Sequence, residues 1–149
     1  MKRETKIISA FPGTGKTFVS EMFKNSEDYI ILDSDSSTFD KKEWPSNYIN
    51  YIGSKIGEVD IIFISSHKEV RDMLTKLNIP FNLIYPKKTL KKTYINRYKK
   101  RKSTEEFITY VESSWADWID SCEQQEGCNK IILQKGEYIL DVLKKKNDS

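Results

Sequence analysis

The chain has 149 residues, 38% of them hydrophobic, and a net charge of +3, which fits one domain spanning residues 1–149 with a folded core rather than disorder. No apolar stretch approaches bilayer length, and the first apolar run is too short for a signal peptide, so a cytoplasmic protein with no membrane partner is expected. Cys122 and Cys128, the only cysteines, lack metal-ligand spacing and are expected to be free thiols.

Short apolar runs alternate with helical patterns. Lys6–Ala10 reads as a first strand, and the helix after Gly15 spaces Phe18, Val19, Met22 and Phe23 at helical intervals. Tyr29–Leu32 and Val59–Ile64 read as strands two and three. Ser66-His67-Lys68-Glu69 reads as a capping box, opening a helix that sets Val70, Met73, Leu74 and Leu77 on one face. Pro80–Tyr85 reads as strand four, and a basic helix follows over about Thr89–Arg101. Ser103-Thr104-Glu105-Glu106 reads as a second capping box. The helix behind it aligns Phe107, Tyr110, Val111, Ser114, Trp118 and Cys122, with Gly127 as its terminator. Lys130–Gln134 is a fifth strand, followed by a short helix carrying Tyr138, Ile139 and Val142. Apolar strands separated by helices imply an α/β fold with a parallel sheet covered on both faces, with ligands outside the carboxyl ends of the strands.

The most specific motif follows the first strand, where residues 10–17 read Ala-Phe-Pro-Gly-Thr-Gly-Lys-Thr. Gly13 and Gly15 let the backbone turn tightly around an anion, with Thr14 between them, and the inward N–H groups and the following helix favour phosphate. Lys16 would reach the outer phosphates, and Thr17 would offer a hydroxyl to magnesium. ATP and Mg2+ are the ligands this pattern expects. The usual first glycine is Ala10, a small residue in its place.

Strand two ends Leu32-Asp33-Ser34-Asp35. Carboxylates two apart on an extended chain point the same way. One would help hold magnesium and the other would orient or deprotonate an acceptor hydroxyl; the alternative is a turn cap. Strand three ends Ile64-Ser65-Ser66-His67 without an aspartate, which favours a small kinase over a mechanical ATPase.

Trp44 and Tyr48 follow strand two. Their rings would stack on an acceptor base, or else Tyr48, Ile49, Tyr51 and Ile52 pack a short helix. His67 and Arg71 lie one helical turn apart and would bind an acceptor phosphate, or are an exposed first-turn residue and a solvated charge. Residues 86–102 hold nine Lys or Arg and no acid, against 16 basic and 22 acidic residues elsewhere. Arg97 and Arg101 share a helix face there and suit the charge of a phosphoryl transition state. The lysines around them would alternatively tether nucleic acid.

With these residues the chain resembles the P-loop kinase group that includes nucleoside-monophosphate, shikimate and gluconate kinases, and small phage-encoded proteins described as nucleotide kinases. The resemblance implies a three-layer fold with a five-stranded sheet ordered 2-3-1-4-5, an acceptor site near strands two and three, and a short lid after strand four, here residues 87–102. Asp33 and Asp35 are similar to the Asp-x-Asp that shikimate kinase uses for magnesium and substrate, which implies that Thr17 with one of them, Asp33 or Asp35, holds the metal and that the other serves the acceptor. Lys135 and Gly136 sit where such kinases pass the adenine ring. The implied activity is ATP- and magnesium-dependent phosphoryl transfer to a small acceptor, most plausibly a nucleoside or nucleotide. The alternatives are a kinase acting on a nucleic-acid end or a base within DNA, and a nucleotide-binding regulatory module with little turnover.

Overall fold

The computed structural model describes residues 3–36 and 39–147. Five strands form one parallel sheet: β1 (Lys6–Ala10), β2 (Ile31–Asp33), β3 (Ile61–Ile64), β4 (Asn82–Pro86) and β5 (Asn129–Leu133), in spatial order β2-β3-β1-β4-β5. Among the described residues, six α-helices lie between and after them: α1 (Lys16–Met22), α2 (Ser46–Lys55), α3 (Lys68–Lys76), α4 (Lys91–Lys100), α5 (Glu105–Gln124) and α6 (Ile139–Asn147). The sheet order agrees with that implied by the resemblance. β1 lies between β3 and β4, with Ile8 level with Phe63 on one side and Asn82 on the other.

The strands bury both faces, and alternate residues divide between two cores. Ile7, Ile62, Ile64, Leu83 and Tyr85 face α2, α3, α4 and α5, where they meet Tyr48, Val70, Tyr94 and Trp115. Ile8, Ala10, Phe63 and Ile84 face Val19 of α1 and Ile139 of α6. These two layers of helices around one sheet are what its apolar strands require. Among the described residues, no helix is long and apolar enough to cross a membrane.

Local details differ from the sequence reading. On α1 only Val19 is buried; Phe18 and Met22 are 62% and 51% exposed. The first capping box does not form. His67 is the N-cap of α3 and makes no side-chain cap, while Ser65 Oγ accepts from the His67 amide. The second cap is shifted by one residue, with Thr104 Oγ1 accepting from the Phe107 amide. On α3 Val70 and Leu74 are buried but Leu77 is exposed, and Arg71 lies inside instead. The expected basic helix is a short 3-10 turn at Lys88–Leu90 followed by α4. α4 is anchored in the core by Tyr94, Ile95 and Tyr98. Both cysteines are free thiols, and burial pushes the Cys122 thiol up to about 11.

Candidate phosphate and acceptor site

The loop between β1 and α1 is held from outside by its carbonyl groups. Thr14 Oγ1 donates to Phe11 O at 2.7 Å, Tyr98 Oη to Pro12 O at 2.7 Å, Arg97 Nη1 to Gly13 O at 2.8 Å, and the Ile139 amide to Thr14 O at 2.9 Å. Four consecutive carbonyls are thereby satisfied, two of them by α4 side chains and one by the first residue of α6. Among the described residues, no backbone carbonyl accepts from the amides of Gly13, Thr14, Gly15, Lys16 or Thr17. Fixing the carbonyls leaves the amide groups to face an anion, the geometry of a phosphate nest.

The glycines are required here. Gly13 has φ +85°, and a Cβ on it would lie 2.9 Å from a Tyr98 ring carbon. Gly15 has φ +102°, and its Cβ would meet the Tyr138 ring at 3.3 Å. The aromatic wall that closes on the loop also grips Arg97, whose guanidinium carbon lies 4.2 Å from the Tyr94 ring centre and 4.1 Å from that of Tyr138.

Burial pulls the Lys16 ammonium below the ordinary lysine value, opposed by Asp33 and Asp35 and aided by Arg101. Lys16, the two carboxylates and Arg101 therefore share one electrostatic site. From Asp33 to Ser36 exposure alternates: Asp33 and Asp35 are exposed, while Ser34 and Ser36 are buried. β2 ends at Asp33, so Asp35 lies in the turn beyond the strand. Thr17 is exposed at the start of α1. Among the described residues, no three His, Cys, Asp or Glu side chains lie together to hold a metal. A cation beside Thr17 and Asp33 would take most of its ligands from phosphate and water, which suits magnesium.

Two expected acceptor residues need correction. Tyr48 is fully buried; its hydroxyl donates to Ser34 O at 2.8 Å and accepts from the Ser65 amide at 3.1 Å. It ties the ends of β2 and β3 together where their ladder stops, and has no ring face left to offer a base. Arg71 is also fully buried. It donates to Ser66 O, Ser121 O, Ser121 Oγ and Gln125 Oε1 at 2.8–3.0 Å, joining α3 to the end of α5. Neither is available to an acceptor phosphate.

His67 is exposed, with Trp44 and Trp118 on either side at ring distances of 5.9 and 5.8 Å. Desolvation lowers its pKa below the ordinary histidine value, while Asp35 and Lys16 act on it in opposite directions. Trp44 is half-buried. Arg101 is exposed, hydrogen-bonded to Ser103 and lying over the Tyr98 ring. Lys135 and Gly136 form an exposed turn after β5, one residue short of Glu137 and Tyr138. The sequence reading missed Tyr98 and Tyr138 as parts of the loop's support. Their signal was the spacing of Tyr94 and Tyr98, four apart among lysines.

No family model and no curated protein matches the chain. Among solved structures it is similar to polyphosphate kinase 2 from Arthrobacter aurescens TC1, with a TM-score of 0.58 and 13% identity. The likeness covers 89% of this chain and 61% of that one, so the chain spans about three fifths of the kinase's length. At this identity the likeness establishes a shared fold: the parallel five-stranded sheet with its flanking helices is one that a phosphotransferase also uses.

Proposed function

We propose that the protein binds ATP with magnesium and transfers the terminal phosphoryl group to a small acceptor, most plausibly a nucleoside or nucleotide. The observation that carries this reading is the set of four outward-bonded carbonyls at Phe11–Thr14, which presents the following amides and Lys16 to one anion. Lys16 and the amides hold the outer phosphates. Thr17 and Asp33 would hold magnesium, which supplies charge neutralisation at the phosphates. Asp35 lies on the acceptor side. Arg101, whose charge acts on Lys16, would neutralise developing charge, and Arg97 donates to the loop at Gly13 O. Such catalysis is mostly positioning and electrostatics. The fold shared with a polyphosphate kinase supports a phosphotransferase.

The test is transfer of label from ATP to a panel of nucleosides, nucleotides, sugars and oligonucleotides. The reading expects magnesium-dependent transfer to one class, abolished by Lys16→Ala in a folded protein. Undiminished transfer by that variant would sink it.

A second reading, with nucleic acid as acceptor, is favoured by one observation. Lys92, Lys99 and Lys100 are exposed on α4, and Lys92 and Lys99, seven apart, lie on one stripe of the helix. Oligonucleotide binding that weakens steeply with salt would support it.

A further inference from the structure

Beyond the carboxyl end of β3, Ser66 Oγ is shut away from water without a hydrogen-bond partner, and so is Trp44 Nε1. Buried polar groups are paired as a rule, because an unpaired one has given up water and gained nothing. The rest of Ser66 is well used. Its carbonyl accepts from Arg71 Nε at 2.9 Å and from Trp118 Nε1 at 3.3 Å. The residue is 2% exposed, so solvent does not serve the idle hydroxyl.

Both idle atoms belong to a neighbourhood of rings. His67, next to Ser66 in the chain, has its ring centre 5.9 Å from that of Trp44 and 5.8 Å from that of Trp118. Trp118 lies 6.0 Å from Tyr110 and 4.6 Å from Phe11 of the phosphate loop. Tyr110 and His67 are exposed, Trp44 and Trp118 are half-buried, and Phe11 is buried. The rings therefore lead from the surface to the phosphate loop. The charges of Asp35 and Lys16 both act on His67, which puts these rings beside the transfer centre proposed above.

A free phosphate has no face to lay against aromatic rings, and a sugar carries more hydroxyls than two idle atoms pair. A planar heterocycle suits both features: its faces stack, and its edge carries a few nitrogen and oxygen atoms. An indole N–H only donates, whereas a hydroxyl donates and accepts. The edge must therefore present at least one acceptor, as a nucleobase does. We infer that Trp44, Ser66 and Trp118 form a subsite for the heterocyclic ring of the acceptor, in which Ser66 Oγ and Trp44 Nε1 bond to the polar edge of the ring and set which ring is taken. The inference rests on the phosphotransferase reading above and names its specificity residues. The ring reaches the two atoms when Trp44 turns aside. The one polar atom of that indole is unpaired, so no hydrogen bond holds it, whereas the indole of Trp118 is tied to Ser66 O. Binding then pairs two groups that folding left idle, and a ring lacking the matching edge atoms forgoes that gain.

The experiment uses the full chain saturated with magnesium and a non-hydrolysable ATP analogue. Thymidine, deoxycytidine, deoxyadenosine, deoxyguanosine and their monophosphates are compared with deoxyribose phosphate and pyrophosphate, by calorimetry and by quenching of tryptophan fluorescence. At least one ring-bearing compound is expected to bind about tenfold or more tightly than deoxyribose phosphate. Ser66→Ala should weaken that ligand by about tenfold. Without ligand the same variant should melt at or above the parent temperature, because the hydroxyl it removes is unpaired. Trp44→Phe keeps a ring and removes the N–H, and should weaken the same ligand by a similar factor. Failure of every ring-bearing compound to outbind the ring-free ones would overturn the inference. So would unchanged affinity in either variant, or a melting temperature lowered by Ser66→Ala. Ring binding that these variants weaken, with no transfer of label from ATP to any compound, would uphold the subsite and strike instead at the phosphotransferase reading.

Discussion

Arg97 Nη1 donates to the Gly13 carbonyl at 2.8 Å across 84 positions of sequence. The guanidinium carbon also lies 4.2 Å from the Tyr94 ring centre and 4.1 Å from that of Tyr138. Charged hydrogen bonds contribute about 1.5–3 kcal/mol, and cation–π contacts add to that. Arg97→Ala is therefore expected to weaken magnesium–ATP binding by about tenfold or more, measured by titration calorimetry. Arg97→Lys should not restore it, because an ammonium cannot fill the planar slot. A variant with unchanged affinity and only slowed transfer would show that Arg97 acts on the transition state instead.

Tyr98→Phe keeps the ring that fills the space over Gly13 and removes only the bond to Pro12 O. It should cost about 1 kcal/mol of stability, read by denaturant unfolding. ATP affinity should fall less than in Arg97→Ala.

Lys16 links binding to stability with a definite sign. Its folded pKa is lowered from 10.5 by burial, so the folded protein holds the proton less tightly than the unfolded chain. Between the lowered value and 10.5 the unfolded chain binds more protons, and this contribution to stability rises with pH. Below that window the burial cost is fully present. Lys16→Met should therefore be more stable than the parent at neutral pH, with the gap shrinking as pH approaches 10.5. The same variant should lose all stabilisation by ATP. Melting curves across pH, with and without nucleotide, check both halves.

Asp33→Asn should raise the magnesium concentration needed for half-maximal transfer, whereas Asp35→Asn should slow transfer with less effect on the metal requirement. Far-UV circular dichroism should be unchanged in both, because the two side chains are exposed. Wild-type kinetics in both variants would reduce the pair to a surface feature of the turn.

Arg71→Ala leaves Ser66 O, Ser121 O and Oγ, and Gln125 Oε1 without their buried donor. A loss of about 3 kcal/mol is expected, seen as a lowered unfolding midpoint. The Michaelis constant for the acceptor, measured well below the melting temperature, should change little.

The strands were legible because each is a compact apolar run. The first was read to the residue, and the others missed by one or two positions at their ends: β2, β3 and β4 begin two residues later than their apolar runs, while Asp33, Pro86 and Asn129 extend the ladder beyond them. The tight turn between β1 and α1 was legible because Gly13 and Gly15 have positive φ and close aromatic neighbours. Arg71 was not legible. On a helical wheel it looks like a solvated charge, and its partners Ser121 and Gln125 lie fifty residues or more away. Phe18 and Met22 misled in the opposite sense: their spacing promised a core face, but α1 turns only Val19 inward. The basic segment combined two messages in one stretch of sequence. Its tyrosines are core residues and its lysines surface ones, and only their packing separates them.

The outward bonds of the phosphate loop also bear on the order in which the molecule is assembled. The loop precedes α4 and α6 in the chain, so it leaves the ribosome before its carbonyl partners Arg97, Tyr98 and Ile139. A nascent chain released or stalled before α6 would carry the whole motif and lack the groups that shape it. Nucleotide would then act as a late ligand in biogenesis, recognising only chains in which α6 has docked, and a triphosphate resin should separate chains that contain residue 139 from chains that stop before it.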